Sequence, residues 1–174
     1  MTTWIALLRG VNVNGRTIRS VDLAALFTEL GFADVKTVLA SGNVRFDADA
    51  TAAALKKRIE KGLGDRFGYE AWIVLVTLAE LEAIIEAFPF DAERDGWHPY
   101  VLFSSDAGSL EELLSAADDL DAADDVVTSG DGVLYWHNRR AVGVDSAFSK
   151  VAGKAKYRSS TTNRNLRTLR KLVP

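Results

Sequence analysis

The chain has 174 residues, 48% apolar and 26% charged, with a formal net charge of −3 and no cysteine. Such a chain buries about 70% of the surface it exposes when unfolded, which suits one domain or two small subdomains and excludes a disordered or fibrous protein. The missing cysteine excludes disulfides, thiolate metal ligands and cysteine nucleophiles, and no apolar run approaches the ~20 residues of a membrane-spanning helix. A soluble, cytoplasmic protein with no membrane attachment is expected, because Trp4 to Leu8 lacks the flanks of a signal peptide.

Trp4 to Arg9 reads as a strand. Ser20 is a plausible N-cap for a helix over Val21 to Leu30, where apolar residues recur at helical spacing until Gly31. Val35 to Ala40 and Asn43 to Asp47 read as two strands across a tight Ser41-Gly42 turn. A helix from Thr51 to about Phe67, carrying Leu55, Ile59 and Leu63, precedes a strand over Ala71 to Val76. The order β-α-β-β-α-β is that of a ferredoxin-like half, in which helices cover one face of an antiparallel sheet.

Thr77-Leu78-Ala79-Glu80 has the spacing of a capping box and opens a helix that ends before Pro89. After a linker from Phe90 to Trp97 the cycle recurs: a strand over Tyr100 to Phe103 and a helix over Ser109 to Ala117 precede a hairpin. That hairpin joins Val126 to Thr128 with Val133 to Trp136 across Ser129 to Gly132. Helices near Ser146 to Ala152 and Thr162 to Leu172 close the chain, the last capped by Ser160, Thr161 or Thr162. The expected class is α+β, with two ferredoxin-like subdomains, mainly antiparallel sheets and an extra C-terminal helix. The first subdomain spans 1–77, a connecting helix and linker 78–98, and the second, modified at its end, 99–174.

Charge is unevenly spread. From Arg139 onward ten basic residues face one acidic residue, for +9, whereas the first 138 residues carry eleven basic against 23 acidic, for −12. A basic end of this kind suits an anionic partner, or simply pairs with the acidic body.

Gly10 to Thr17 falls one residue short of the spacing of a phosphate-cradling P-loop and has Arg16 where that loop has lysine. A true P-loop opens its helix at the lysine and lies in a parallel sheet, and neither condition holds here, so nucleotide hydrolysis is not expected. A milder reading survives. Glycine and asparagine admit turns in which backbone amides converge, and arginines beside them favour phosphate or carboxylate. In a split βαβ unit the first two strands are parallel, so this loop and the Ser41-Gly42-Asn43 turn should lie on one edge of the sheet. That edge would carry Arg9, Asn12, Asn14, Arg16, Ser41 and Asn43.

Other motifs carry less. Asn43-Val44-Arg45-Phe46 lacks the aromatic-glycine pattern of an RNA recognition motif. His98 and His137 fall on strands expected to be adjacent, so their imidazoles should approach each other, but two ligands do not make a metal site and none is expected. The aspartates from Asp118 to Asp125 lack the central glycine and terminal glutamate of a calcium loop. No cofactor is indicated, and no serine is paired with a histidine by a local motif.

Ala6 to Val13, Leu39 to Val44 and Thr162 to Leu169 together resemble three stretches characteristic of the domain-of-unknown-function 1697 family of bacterial proteins. The resemblance implies two α+β subdomains related to the ferredoxin-like fold and supplies no activity. It marks Arg9, Gly10, Asn12, Ser41, Gly42, Asn43, Arg164, Asn165 and Thr168 as positions shared with the family. Leu166 stands where that pattern has tryptophan, which speaks against base stacking there. The expected function is binding of a small phosphate- or carboxylate-bearing ligand by Arg9, Gly10, Asn12, Asn14, Arg16, Ser41, Gly42 and Asn43, with Arg164 and Asn165 as further candidates. The alternatives are a nucleic-acid-binding module using the basic C-terminus, and a structural or oligomerising protein without a ligand. No reaction, oligomeric state or catalytic residue follows from the residues.

Overall fold

The computed structural model describes residues 1–9, 17–38 and 42–174. It divides into two compact units, Met1–Leu81 with Lys171–Pro174, and Glu82–Arg170.

The first unit contains β1 (Thr2–Arg9), α1 (Ser20–Glu29), β2 (Ala33–Val38), β3 (Asn43–Ala48), α2 (Ala52–Phe67) and β4 (Trp72–Thr77); α3 (Leu78–Glu86) follows directly. The sheet order is β2-β3-β1-β4 with every neighbouring pair antiparallel. Successive residues of a strand face opposite sides. Trp4, Ala6 and Leu8 therefore join the core under the helices, where Phe27, Phe32 and Phe46 form a ring cluster with centroids 4.7 to 5.9 Å apart. Ile5 and Leu7 face the other way and are also fully buried, which is why β1 reads as a continuous apolar run.

Caps explain the helix limits. Thr51 Oγ1 accepts from the Ala54 amide at 3.2 Å, and Gly68, at φ 70°, takes the left-handed conformation that ends α2. The Thr77 to Glu80 capping box forms as read: Thr77 Oγ1 accepts from the Glu80 amide at 3.1 Å and Glu80 Oε2 from the Thr77 amide at 2.8 Å. Ser20 is not the N-cap of α1. It is the first helical residue, and the extended Arg19 precedes it with no side-chain cap bond, its guanidinium ion-paired with Asp22 at 3.0 Å.

The second unit repeats the order: β5 (Trp97–Ser104), α4 (Ala107–Ala116), β6 (Asp125–Ser129), β7 (Val133–Arg139), α5 (Ala147–Ala152), β8 (Thr161–Asn165) and α6 (Leu166–Arg170). Its sheet order, β6-β7-β5-β8, matches that of the first unit strand for strand. Leu102, Leu113, Leu134, Trp136, Phe148 and Tyr157 fill the helix-covered side. On the other face Phe88 and Phe90 pack against Tyr135 and His137, and the Tyr135 hydroxyl donates to the Ile84 carbonyl at 2.8 Å.

Two expectations are corrected here. The C-terminal helix does not span Thr162 to Leu172, because Thr161–Asn165 completes the sheet on the free edge of β5, and only five residues remain for α6. The β-branched threonines suit the ladder, and the helix cap passes to Asn165, whose Oδ1 accepts from the Arg167 amide at 2.9 Å. The second half is therefore complete in topology. Nor do the histidines approach each other: Pro99 is opposite His137 and His98 opposite Asn138, so the two imidazoles occupy opposite faces of one sheet.

Candidate functional site

The C-terminal end of β1 meets the start of β3. The Leu8 amide donates to the Gly42 carbonyl at 2.9 Å, and Leu7 lies opposite Asn43. Val38 of β2 is the last described residue paired with β3, also with Asn43; Leu39, Ala40 and Ser41, on which the expected end of the strand and the tight turn fall, lie outside the described residues. Gly42, at φ 78°, holds a left-handed conformation that a side chain would strain. The expected convergence of the β1 end with the β2–β3 hairpin is present as far as the described residues reach, at Leu8 and Gly42.

Asn43 is fully buried, and its Nδ2 donates to the Val38 carbonyl at 2.9 Å, bracing the mouth of the hairpin. Arg9 is half-buried at the last ladder position of β1, opposite Trp72 of β4. Gly10, Asn12, Asn14, Arg16 and Ser41 lie outside the described residues.

Register adds two residues that the sequence reading omitted. Arg45 is opposite Ile5 and also opposite Lys36, so both cations share the face of Arg9 and Asn43. Arg45 Nη1 donates to the Leu172 carbonyl at 3.3 Å, while its buried Nε has no hydrogen-bond partner among the described residues. The two-residue spacing of Asn43 and Arg45 could have disclosed the shared face once β3 was recognised. Arg9 and Arg45 stand four residues apart along β1, about 13 Å, so one anion the size of phosphate cannot meet both backbones closely.

Arg164 and Asn165 belong to the second unit. Arg164 is buried opposite Val101, with Nη1 donating to Thr162 Oγ1 at 2.5 Å and the Asn163 carbonyl at 2.9 Å. Asn165 is opposite Tyr100 and faces the other side of the sheet, so these adjacent residues do not line one surface. Arg170 pairs with Glu93 at 3.2 Å, and Arg167 is exposed. Among the described residues no group of three or more His, Asp or Glu is placed to hold a metal ion, and no helix is long and apolar enough to cross a membrane.

The profile of the family described as "Protein of unknown function (DUF1697)" matches residues 1–135. The chain belongs to this family. A solved structure, that of the conserved bacterial protein SP0830 from Streptococcus pneumoniae, is similar to this DUF1697 chain with a TM-score of 0.82 at 24% identity. The alignment covers 98% of this chain and 96% of that one, so the likeness of fold extends over both halves. No curated protein matches the sequence.

Proposed function

We propose that the first unit binds a small phosphate- or carboxylate-bearing ligand at the strand-end rim made by Arg9, the 10–16 loop and Ser41 to Asn43. The observation that supports this reading is the Leu8 to Gly42 bond, which joins the end of β1 to the residue before β3. Lys36 and Arg45 on the same face add positive potential, which raises the local concentration of anions without requiring direct contact. Arg164 and Asn165, in the second unit and on opposite faces of β8, are not required by this reading.

A thermal-shift series with inorganic phosphate, pyrophosphate and citrate tests it. A ligand at ten times its dissociation constant stabilises by about 1.4 kcal/mol, or roughly 3–6 °C for a chain of this size. The shift should be lost in Arg9→Ala and reduced in Arg45→Ala. A flat response to all three anions, or an unchanged shift in Arg9→Ala, refutes the proposal.

For the alternative, a nucleic-acid-binding module using the basic C-terminus, α6 offers only five residues, and Arg170 on it pairs with Glu93.

A further inference from the structure

In the second unit three rings run in sequence from the core toward solvent. Trp136 is buried and anchored by its Nε1, which donates to Asp125 Oδ1 at 2.8 Å. The half-buried Tyr100 packs on Trp136 with centroids 5.0 Å apart, and the half-buried His98 stacks on Tyr100 at 5.1 Å with planes 27° apart. The register explains the stack: Tyr100 lies opposite Trp136, and His98 is two residues back on the same face of β5.

Two exposed arginines flank this stack. Arg140 follows β7, and its amide donates to the Gly96 carbonyl at 2.8 Å, which holds it at the start of β5. Arg167 is held by its amide to Asn165 Oδ1 at 2.9 Å, and Asn165 is the direct neighbour of Tyr100. Electrostatics agree with this placement. Burial, then Arg140 and Arg167, keep His98 below its ordinary value, and Arg140 opposes the rise that burial imposes on Tyr100. An open depression of about 480 Å³, lined by Asp95, Gly96, Trp97, Arg139, Arg140 and Ala141, lies beside Arg140, with Trp97 and Arg139 coming from the sheet face opposite His98 and Tyr100.

The first unit covers its sheet with α2, sixteen residues long, whereas the corresponding α5 has six. On the helix-covered face of β5 Tyr100 is half-buried, whereas Trp4, its counterpart in register in the first sheet, is buried.

We propose that the end of the second sheet bearing His98, Tyr100, Asn165, Arg140 and Arg167 binds a base–phosphate unit, with the base extending the ring stack and the phosphate held by the arginines. Aromatic stacking accepts any base, because each presents a π-face, and paired guanidiniums suit phosphate geometry. Asn165 can offer an amide donor toward the base or sugar, since its Oδ1 is engaged by Arg167. The unit could be a free mononucleotide or one nucleotide of a single strand, which share this chemistry. The site takes Arg140 and Arg167 from the basic C-terminal region read from the sequence and adds the ring stack and Asn165, which that reading did not include. It is also independent of the rim proposed in the first unit.

Titration calorimetry with adenosine monophosphate, with adenosine alone, with inorganic phosphate, and with a ten-residue single-stranded oligonucleotide distinguishes the outcomes. Binding of the monophosphate, weakened about tenfold by His98→Ala and restored by His98→Phe, supports the site and identifies a free nucleotide. Binding of the oligonucleotide alone, steeply salt-dependent and weakened by Arg140→Ala and Arg167→Ala, supports it with a strand as ligand. The proposal is overturned if neither binds at millimolar concentration, if phosphate alone binds as tightly as the nucleotide, or if folded His98→Ala binds like the unaltered protein.

Discussion

Asp125→Ala is the sharpest test of how the second unit is held together. The carboxylate is 2% exposed and accepts from Trp136 Nε1 at 2.8 Å, Asn138 Nδ2 at 3.1 Å and the Phe148 amide at 3.2 Å. Asn138 can fall back on the Gly143 carbonyl and Ser146 Oγ, at 3.3 and 3.2 Å, so its loss is partly made good. Trp136 Nε1 and the Phe148 amide lose the only acceptor they have among the described residues. Two stranded buried donors at about 1–3 kcal/mol each give about 2–6 kcal/mol. Relief of the desolvation that the carboxylate suffers subtracts from this sum, so a loss of about 3 kcal/mol is expected. Urea unfolding followed by tryptophan fluorescence and near-ultraviolet circular dichroism measures it. Asp125→Asn, which keeps one carbonyl oxygen, should fall between the two proteins. A loss below about 1 kcal/mol for Asp125→Ala would show that the network is bypassed by water or by repacking, and would refute the accounting.

Gly130→Ala should destabilise by about 1–3 kcal/mol, because an added Cβ would lie 2.5 Å from Tyr135 Cε2 and 2.9 Å from Val133 Cγ2; unchanged thermal stability would mean the hairpin rearranges freely. His137 is 3% exposed between Phe90 and Trp97, and burial, then Arg94, lower its proton affinity, with Asp91 opposing. The unfolded chain therefore binds a proton first as pH falls below the ordinary value of 6.5, so stability declines from there downward until the folded imidazole also titrates. His98 shifts in the same direction. A urea-midpoint series from pH 7.5 to 5 should accordingly be flatter in His137→Phe than in the unaltered protein, and parallel curves would exclude His137 as a contributor.

Most of the architecture was legible from local chemistry. The hydrophobic periods of β1 and α2, the Thr77 to Glu80 box and the two hairpins each named their element because period, cap and turn agreed within a short window. The misreading at Thr162 to Leu172 has a different origin. Leu166 and Leu169 do keep helical spacing, but the preceding residues are claimed by the free edge of β5, more than fifty positions away in sequence. A hydroxyl-rich stretch reads equally well as a cap or as an edge strand until its partner is known. The candidate site divides the same way. The convergence of Leu8 with Gly42 follows from topology and was foreseeable, whereas Arg45 and Lys36 needed the register, and the ring stack on Trp136 needed the three-dimensional pairing of β5 with β7.

In both units the last strand passes into the next helix without an intervening residue, β4 into α3 and β8 into α6. Its terminal residue serves twice. Thr77 is the final ladder residue opposite Trp4 and caps Glu80, and Asn165 is the final ladder residue opposite Tyr100 and caps Arg167. These junctions have no slack for insertion. One added residue at 77/78 or 165/166 would turn the helix by about 100° about its axis and carry the capping partner out of reach. Length variation among relatives should therefore gather in the other loops and spare these two joints.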